Sequence, residues 1–193
     1  MSDDVSLIAS TERKHEVWMQ RALAQARLAI QGGEAPIGCV LYRDDGTIIA
    51  EGHNTMVSSG IVTAHAEMNA FAAAGRGIAP GDRVIMVSTL EPCVMCTGAA
   101  MQAGVVQIVY ALPAPADAGT GRVRPPESPG STAPEIVGRV AAHASRALFE
   151  EWLSLHSNDD SRRDQREFVE QLLALTAADG GSGSPARAAS VNK

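Results

Sequence analysis

Hydrophobic and polar residues follow two alternating patterns along this chain of 193 residues. In some stretches apolar residues recur every three or four positions, which indicates one face of a helix, and in others they form short continuous runs, which indicates a buried strand. Thr11 and Thr63 are the predicted N-caps of the first two helices. In chain order the pattern predicts a helix over 12–31, strands over 36–43 and 47–52, a helix from Thr63 to Ala74, a strand over 83–89, a helix over 93–103, strands over 105–112 and 135–140, and helices over 142–156 and 163–176.

The order of these elements indicates the fold class. Asp44-Asp45-Gly46, between the first two strands, is typical of a hairpin turn. After this hairpin, strands alternate with helices, which favours parallel strands with helices on both faces. We therefore predict an α/β fold in which parallel strands extend the sheet from a starting hairpin.

Composition divides the chain into one domain and its extensions. Residues 11–157 carry nearly all the predicted elements and suit a single domain, which contains a long Pro- and Gly-rich loop over 113–134. We expect residues 1–10 to be a flexible N-terminus, residues 158–176 to be a C-terminal helical extension, and residues 177–193 to be a disordered tail. From its position alone, we expect the extension to cap a pocket of the same subunit or of a neighbouring one.

Composition and charge narrow the class of protein. An apolar fraction of 45% supports a real core, and a formal net charge of −6 argues against a general affinity for nucleic acid or anionic membranes. The N-terminus has no basic segment followed by an apolar one, and no apolar run approaches the roughly 18 residues of a membrane span. The odd number of Cys, three, argues against a disulfide framework. We therefore expect a cytoplasmic protein that does not contact membranes.

Cys93 and Cys96 form a Cys-x-x-Cys pair at a predicted strand-to-helix junction. A helix N-terminus favours negative charge, so it lowers the thiol pKa and helps to form thiolate metal ligands. A redox dithiol or two small core residues would show the same spacing. His65 is a third candidate ligand, and three protein ligands would keep a fourth position for water, as catalytic zinc sites do. Cys39 is more typical of a core residue, and His53 lies away from the motif.

Glu67 lies two residues after His65, and its predicted role is not coordination. Zinc lowers the pKa of a water molecule, and a carboxylate beside that water can transfer its proton to a substrate. Positions two apart diverge by roughly 200° around a regular helix, so both groups face one site only if His65 lies at the irregular helix start. The alternative is an exposed carboxylate in the first helical turn. Asn54, just after the second strand, is a candidate for gripping a substrate, although Asn is also common in loops.

His65-Ala66-Glu67 followed by Pro92-Cys93-x-x-Cys96 resembles the signature of the zinc-dependent cytidine deaminase superfamily. The resemblance covers about residues 12–112, by element order as well as by motif. Within the superfamily, the stretches GGEAPIGCV, GHN, TAHAEMNA and EPCVMCTGA are similar to the branch that holds tRNA adenosine deaminase, guanine deaminase and fungal-type cytosine deaminase.

This resemblance implies a three-layer α/β/α sandwich with a mixed five-stranded sheet, and it implies a homodimer. It also implies a hydrolytic reaction in which a ring carbon loses its amino group as ammonia. The residues that the resemblance assigns are His65, Cys93 and Cys96 for Zn²⁺, Glu67 for proton transfer, and Asn54, Ala66 and Glu91 for substrate binding, the last two through backbone groups.

The substrate is harder to predict, because the loop over 113–134 matches none of the three enzymes of this branch. It lacks the acidic pair of guanine deaminases and the Lys- and Gly-containing stretch of tRNA adenosine deaminases. We predict deamination of a free nucleobase or nucleoside, such as guanine, adenine or cytosine. The alternative is tRNA adenosine-to-inosine deamination, which needs a basic face that Arg122, Arg124 and Arg139 supply only in part. A second alternative is a catalytically silent, deaminase-like binding module with structural zinc.

Overall fold

The computed structural model of the protein describes the backbone of residues 2–127 and 132–177, and the side chains of residues 10–127 and 132–177. In this part of the chain the strands are β1 (Gly38–Arg43), β2 (Ile48–His53), β3 (Val84–Leu90), β4 (Val105–Leu112) and β5 (Glu135–Val137). The α-helices are α1 (Ser2–Gln31), α2 (Met56–Ser59), α3 (Ala66–Ala74), α4 (Val94–Gln102), α5 (Ala142–Leu155) and α6 (Arg163–Thr176).

The strands form one mixed sheet with the order β2-β1-β3-β4-β5. β1 pairs antiparallel with both β2 and β3, whereas β3, β4 and β5 run parallel to one another. Parallel neighbours need a crossover connection, and α4 supplies it between β3 and β4. The predicted five-stranded α/β sheet with a starting hairpin is confirmed.

Both faces of the sheet are covered, because successive side chains of a strand point to opposite sides. On one face, Val40 of β1 and Val87 of β3 pack in a cluster with α1 and with Leu148 of α5. On the other face, Leu41 of β1 and Met86 of β3 pack against small residues of α3 and α4. The predicted three-layer α/β/α sandwich is therefore confirmed.

Two glycines let helices lie directly on the sheet. A Cβ atom on Gly38 would lie 2.2 Å from the backbone oxygen of Ala22 in α1, and a Cβ atom on Gly52 would lie 2.5 Å from the backbone oxygen of Ala66 in α3. Atoms of a larger residue cannot approach backbone this closely, so both positions need glycine. The second contact sets the height of α3 above the sheet, and α3 begins next to the candidate metal ligands.

The helix starts differ from those predicted. α1 is continuous from Ser2, so Thr11 lies inside a helix and the prediction that it is an N-cap is wrong, because an N-cap has non-helical backbone. The expected flexible segment 1–10 thus has helical backbone from Ser2. The N-cap of α3 is His65 rather than Thr63, so that prediction is also wrong.

α2 lies in a stretch that the sequence pattern predicts to be a loop. Its first backbone N–H groups are bonded by a distant carboxylate, because Glu34 accepts hydrogen bonds from the backbone nitrogens of Val57 at 3.1 Å and Ser58 at 2.6 Å. Glu34 is almost fully buried. A helix of four residues has no readable periodicity, and its cap comes from another part of the chain, so the local pattern does not predict it.

The C-terminal extension packs as part of the domain. Val169 and Leu172 of α6 form a core cluster with Leu90 of β3 and Trp152 of α5. Residues 128–131 of the predicted loop and residues 178–193 of the predicted tail lie outside the described residues. Across the two described ranges, no helical segment combines the length and the hydropathy of a membrane span.

Candidate active site

The candidate metal ligands lie at two helix N-termini. His65 is the N-cap of α3 and Cys93 is the N-cap of α4, and both have extended backbone. Cys96 lies in the first turn of α4 and is fully buried. The prediction that His65 precedes the regular part of its helix is therefore confirmed, and this placement lets His65 and Glu67 line the same cavity.

His65, Cys93 and Cys96 bring three ligand atoms together. Nδ1 of His65 lies 3.7 Å from the Sγ atom of each cysteine, and the ligand atoms all lie within 4.8 Å of one another. One imidazole nitrogen and two sulfurs suit Zn²⁺, and three protein ligands leave one tetrahedral position for water or substrate. Among the described residues, no other His, Cys, Asp or Glu joins this cluster. The donor set therefore fits zinc at an open, catalytic type of site.

The electrostatics of the cysteine pair favour negative charge. The pKa of Cys93 is lowered to about 4, chiefly by a hydrogen bond from Cys96 and also by one from His65. The hydrogen bond to Cys93 and burial raise the pKa of Cys96. A divalent cation favours the thiolate form of both cysteines.

Glu67 is a buried carboxylate near the metal ligands. It is 3% exposed, and burial raises its pKa above the ordinary value. Ser88 of β3 donates a hydrogen bond to its Oε1 atom at 2.7 Å, which orients the carboxylate and opposes part of the effect of burial. This burial excludes the alternative that Glu67 is an ordinary exposed carboxylate of a first helical turn.

His65, Glu67 and Cys93 line one cavity of about 380 Å³, which lies in the size range of small-molecule sites. Ile37 and Leu90 contribute apolar wall, as does Met56 of α2. Asn54 also lines the cavity, as its predicted role in substrate binding requires. Two of the three metal ligands, His65 and Cys93, therefore line the same cavity as the predicted substrate-binding Asn.

Another part of the cavity wall comes from residues that no motif marks. Asp117, from the loop after β4, lines the cavity together with Asp164, Gln165 and Phe168 of α6. α6 thus lies over a pocket of its own subunit, as its position in the chain led us to expect. The sequence contains one indication that α6 contributes to a site. Gln165 precedes buried Val169 by four positions, so it is a polar residue on the buried face of a helix.

Glu91 uses its carboxylate to hold the loop after β4. It accepts hydrogen bonds from the backbone nitrogen of Ala114 at 3.1 Å and from the hydroxyl of Thr120. The same loop contacts the start of α4, where the backbone nitrogen of Gly119 donates to the oxygen of Pro92 at 2.8 Å. The loop is therefore tied to the Cys-x-x-Cys motif, and these ties bring its residues to the cavity.

The remaining predicted residues lie in different places. Ala66 is fully buried at the start of α3 and does not line the cavity. Cys39 is fully buried in the core cluster beneath α3, as predicted. Nδ1 of His53 lies 3.4 Å from Oε1 of Gln25, outside the cavity. Neither Cys39 nor His53 therefore supplies a fourth metal ligand.

Known proteins share this sequence in part. Among curated relatives, the chain is 42% identical over 107 residues to a tRNA(Ile)-lysidine synthase of Deinococcus radiodurans. The aligned stretch covers 54% of this chain and 18% of that protein. The chain is also 41% identical over 95 residues to a tRNA-specific adenosine deaminase of Streptococcus pyogenes. This second alignment covers 48% of this chain and 59% of that protein. The chain thus spans less than two thirds of the length of either relative.

Solved structures share the fold. One, from a study of A-to-I editing by tRNA deaminases at the wobble position, is 30% identical, with a TM-score of 0.57 and coverage of 67% of this chain and 96% of that chain. A guanine deaminase from Nitrosomonas europaea is 26% identical, with a TM-score of 0.61 and coverage of 72% and 84%. The family model of the cytidine and deoxycytidylate deaminase zinc-binding region matches residues 12–112, more than half of the chain. The chain therefore belongs to this family of zinc-dependent deaminases.

Proposed function

We propose that the chain deaminates a free amino-substituted nucleobase or nucleoside by hydrolysis. Water supplies an oxygen atom to the ring carbon, and the amino group leaves as ammonia. The charge of the cavity carries this proposal: among the described residues, its lining includes Glu67, Glu91, Asp117 and Asp164 but no Lys or Arg. A cavity of this size and charge suits a small neutral ring better than a phosphate-bearing molecule.

Glu67 and Asn54 have different roles in the proposed reaction. Bound zinc supplies the activation of water. Glu67 carries the proton: Ser88 orients its carboxylate through Oε1, and the carboxylate would accept a proton from the water and deliver it to the departing nitrogen. Asn54 offers an amide donor and an amide acceptor to the edge of the ring.

Deamination of adenosine in tRNA is the second candidate function, and it is favoured by the names of the relatives. An RNA substrate would bring phosphates to the rim of the cavity, where the exposed carboxylates of Asp117 and Asp164 lie. RNA-binding surfaces are instead basic. Arg122, a candidate for such a surface, donates its guanidinium hydrogen bonds to the backbone oxygens of Pro115 and Ala116. The carboxylates of Asp117 and Asp164 therefore support the free base over the RNA.

A silent, deaminase-like binding module is the remaining alternative. The open ligand set and the cavity beside Glu67 argue against a silent binding module, because such a module needs neither. The homodimer and the cytoplasmic location stay predictions.

Two assays on the zinc-loaded protein separate the candidates. Ammonia release is measured with guanine, adenine, cytosine and their nucleosides. Inosine formation is measured at low salt with an RNA stem-loop that carries an anticodon adenosine at the wobble position. We expect ammonia from at least one base or nucleoside and no inosine in the RNA. Inosine in the RNA without ammonia from any small molecule would overturn the proposal, and so would the absence of both products.

A further inference from the structure

Asn69 of α3 holds the chain segment that carries Asn54. Its Nδ2 atom lies 2.7 Å from the backbone oxygen of His53, 2.9 Å from Oγ1 of Thr55 and 3.2 Å from the backbone oxygen of Ala64. A backbone carbonyl can only accept hydrogen bonds, so the NH₂ group of Asn69 faces these atoms and donates to them. One side chain thus contacts both the residue before Asn54 and the residue after it.

The same contacts close the loop between β2 and α3. Thr55 and Ala64 lie at the two ends of this loop, and the backbone nitrogen of Thr55 donates to the oxygen of Ala64 at 3.1 Å. Ala64 directly precedes the metal ligand His65. The backbone nitrogen of Asn69 donates to the backbone oxygen of His65 at 2.9 Å. Asn69 therefore ties the segment of Asn54 to the helix start that presents His65.

The backbone around Asn54 is held from two sides. Its nitrogen donates to the oxygen of Ile37 at 3.0 Å, and Asn69 holds the residues on either side of it. The side chain of Asn54 lines the cavity together with His65 and Glu67. A bound ring must meet Asn54 and the metal site at the same time, and a misplacement of about 1 Å can cost roughly a hundredfold in rate. The position of Asn54 relative to the metal site therefore depends on Asn69.

α3 itself does not require an asparagine at this position. The helix has the sequence AEMNAFAAA, and Asn is a weaker helix former than Ala, Glu or Met. Ala66, Ala70 and Ala74 supply the face of α3 that packs on the sheet, whereas Asn69 is half-buried and reaches the loop. The contacts with the loop account for Asn69, and packing of the helix does not.

We propose that Asn69 is a positioning residue that fixes Asn54 relative to the metal ligand His65. This inference rests on one part of the proposed function, the binding of the ring by Asn54. Asn69 is not among the residues that line the cavity, so it acts through Asn54 and not on the substrate. Loss of its NH₂ group frees the loop and misplaces Asn54. Zinc stays bound, because Asn69 is not one of the three ligands.

A double-mutant cycle tests whether Asn69 acts through Asn54. We measure kcat/KM on zinc-loaded wild type, Asn69→Leu, Asn54→Ala and the double variant, with the base or nucleoside that the wild type turns over fastest. We expect Asn69→Leu to lower kcat/KM roughly tenfold, because the loop loses its side-chain hydrogen bonds. In the Asn54→Ala background, the same change should lower kcat/KM by less than about twofold, because no amide is left to position.

Hydrogen exchange gives a second readout that does not depend on the substrate. Exchange of backbone amides in a peptide that covers residues 53–64 is measured by mass spectrometry on the zinc-loaded wild type and Asn69→Leu. We expect this peptide to exchange roughly tenfold faster in the variant, because local opening of the loop no longer breaks the bonds of Asn69. Exchange in β3 should stay the same.

Gln102→Ala is the matched control, because Gln102 is an exposed amide residue of α4, the other helix that carries metal ligands. This control should leave kcat/KM, zinc content and exchange unchanged. Thr55→Val removes one of the three acceptors and keeps the shape of the side chain, so we expect kcat/KM to fall about threefold. If Asn69→Leu does not fold, the cycle of Thr55→Val with Asn54→Ala decides.

The outcomes separate the inference from the function on which it rests. Equal losses of kcat/KM from Asn69→Leu in the two backgrounds overturn the inference, in favour of a general structural role. Unchanged exchange over residues 53–64 also overturns it, and so does loss of zinc from Asn69→Leu. If the wild type forms inosine in RNA and releases no ammonia from any base or nucleoside, the proposed function fails, and the cycle is decided on inosine formation instead.

Discussion

Two regions of the cavity are built in different ways. The metal half comprises His65, Glu67, Cys93 and Cys96, which lie at two helix N-termini within two short motifs. The C-terminal wall comprises Asp117, Asp164, Gln165 and Phe168, which come from a loop and a helix without any motif. Every residue of this wall lies beyond residue 112, where the match to the family ends. The metal half thus lies within the part of the chain that matches the family, and the C-terminal wall lies outside it.

Loss of a metal ligand is the largest effect we expect. Cys93→Ala removes one of three protein ligands, so we expect zinc to be lost and ammonia release to fall below detection, because two ligands hold the ion weakly. Zinc per chain is measured by atomic emission alongside activity. Cys39→Ala changes the buried cysteine outside the site and should keep zinc. A full complement of zinc in Cys93→Ala would contradict the assigned ligand set.

Glu67→Gln tests the other part of the metal half. We expect activity to fall by roughly 10²–10⁴-fold, since the amide cannot carry a proton. We also expect zinc to be retained, because the cluster of ligand atoms does not include Glu67. The hydroxyl of Ser88 can still donate to the amide oxygen, so the side chain should keep its place. Unchanged turnover by a zinc-loaded Glu67→Gln protein would remove Glu67 from the mechanism.

The metal half depends on close packing of α3 against the sheet, and two glycines test this. Gly52→Ala would place a Cβ atom 2.5 Å from the backbone of α3, so we expect a loss of about 1–3 kcal/mol in the free energy of unfolding. Gly98 of α4 has nothing within 4 Å of its Cβ position, so Gly98→Ala should stabilise the protein by up to about 1 kcal/mol. Denaturant unfolding with excess zinc measures both. Equal stabilities for the two variants would contradict the packing argument.

The same contrast explains what the sequence could predict. The metal half was predictable because the spacing of Cys93 and Cys96 is local, and because the irregular start of a helix at His65 follows from the need to share a site with Glu67. The bounds of β4 and α6 were also predictable, since β4 is a short run rich in apolar residues and α6 has apolar residues at helical spacing.

The features that the sequence did not predict depend on contacts between distant parts of the chain. The short helix α2 is capped by the carboxylate of Glu34, which lies more than twenty residues earlier in the chain. The C-terminal wall forms only when α6 packs on Leu90 and Trp152, and no local pattern states which of its polar residues then meet a cavity. Gln165 is the exception in part, because a polar residue at a buried helical position is visible in the sequence.

Glu91 connects the metal half to the C-terminal wall. Its replacement is expected to have the smallest effect on the reaction, a change in KM. The residue directly precedes Pro92 of the metal motif, while its carboxylate holds the loop that carries Asp117. In Glu91→Gln, the amide oxygen can accept from Ala114 and the NH₂ group can donate to Thr120, so the loop should stay in place. We expect KM to change by about threefold or less. Glu91→Ala loses both bonds, and we expect its KM to rise roughly tenfold with zinc unchanged.

The contrast between the two Glu91 variants decides how sharply the regions are divided. If Glu91 acts by holding the loop, Glu91→Gln behaves like the wild type. Thr120→Val then raises KM less than Glu91→Ala does, because Thr120→Val removes only one of the two hydrogen bonds to the Glu91 carboxylate. If the Gln and Ala variants are equally impaired, the negative charge itself is needed, and Glu91 contacts the substrate through its carboxylate. In that case the motif that supplies the metal ligands would also select the substrate, and the division between the metal half and the C-terminal wall would not hold.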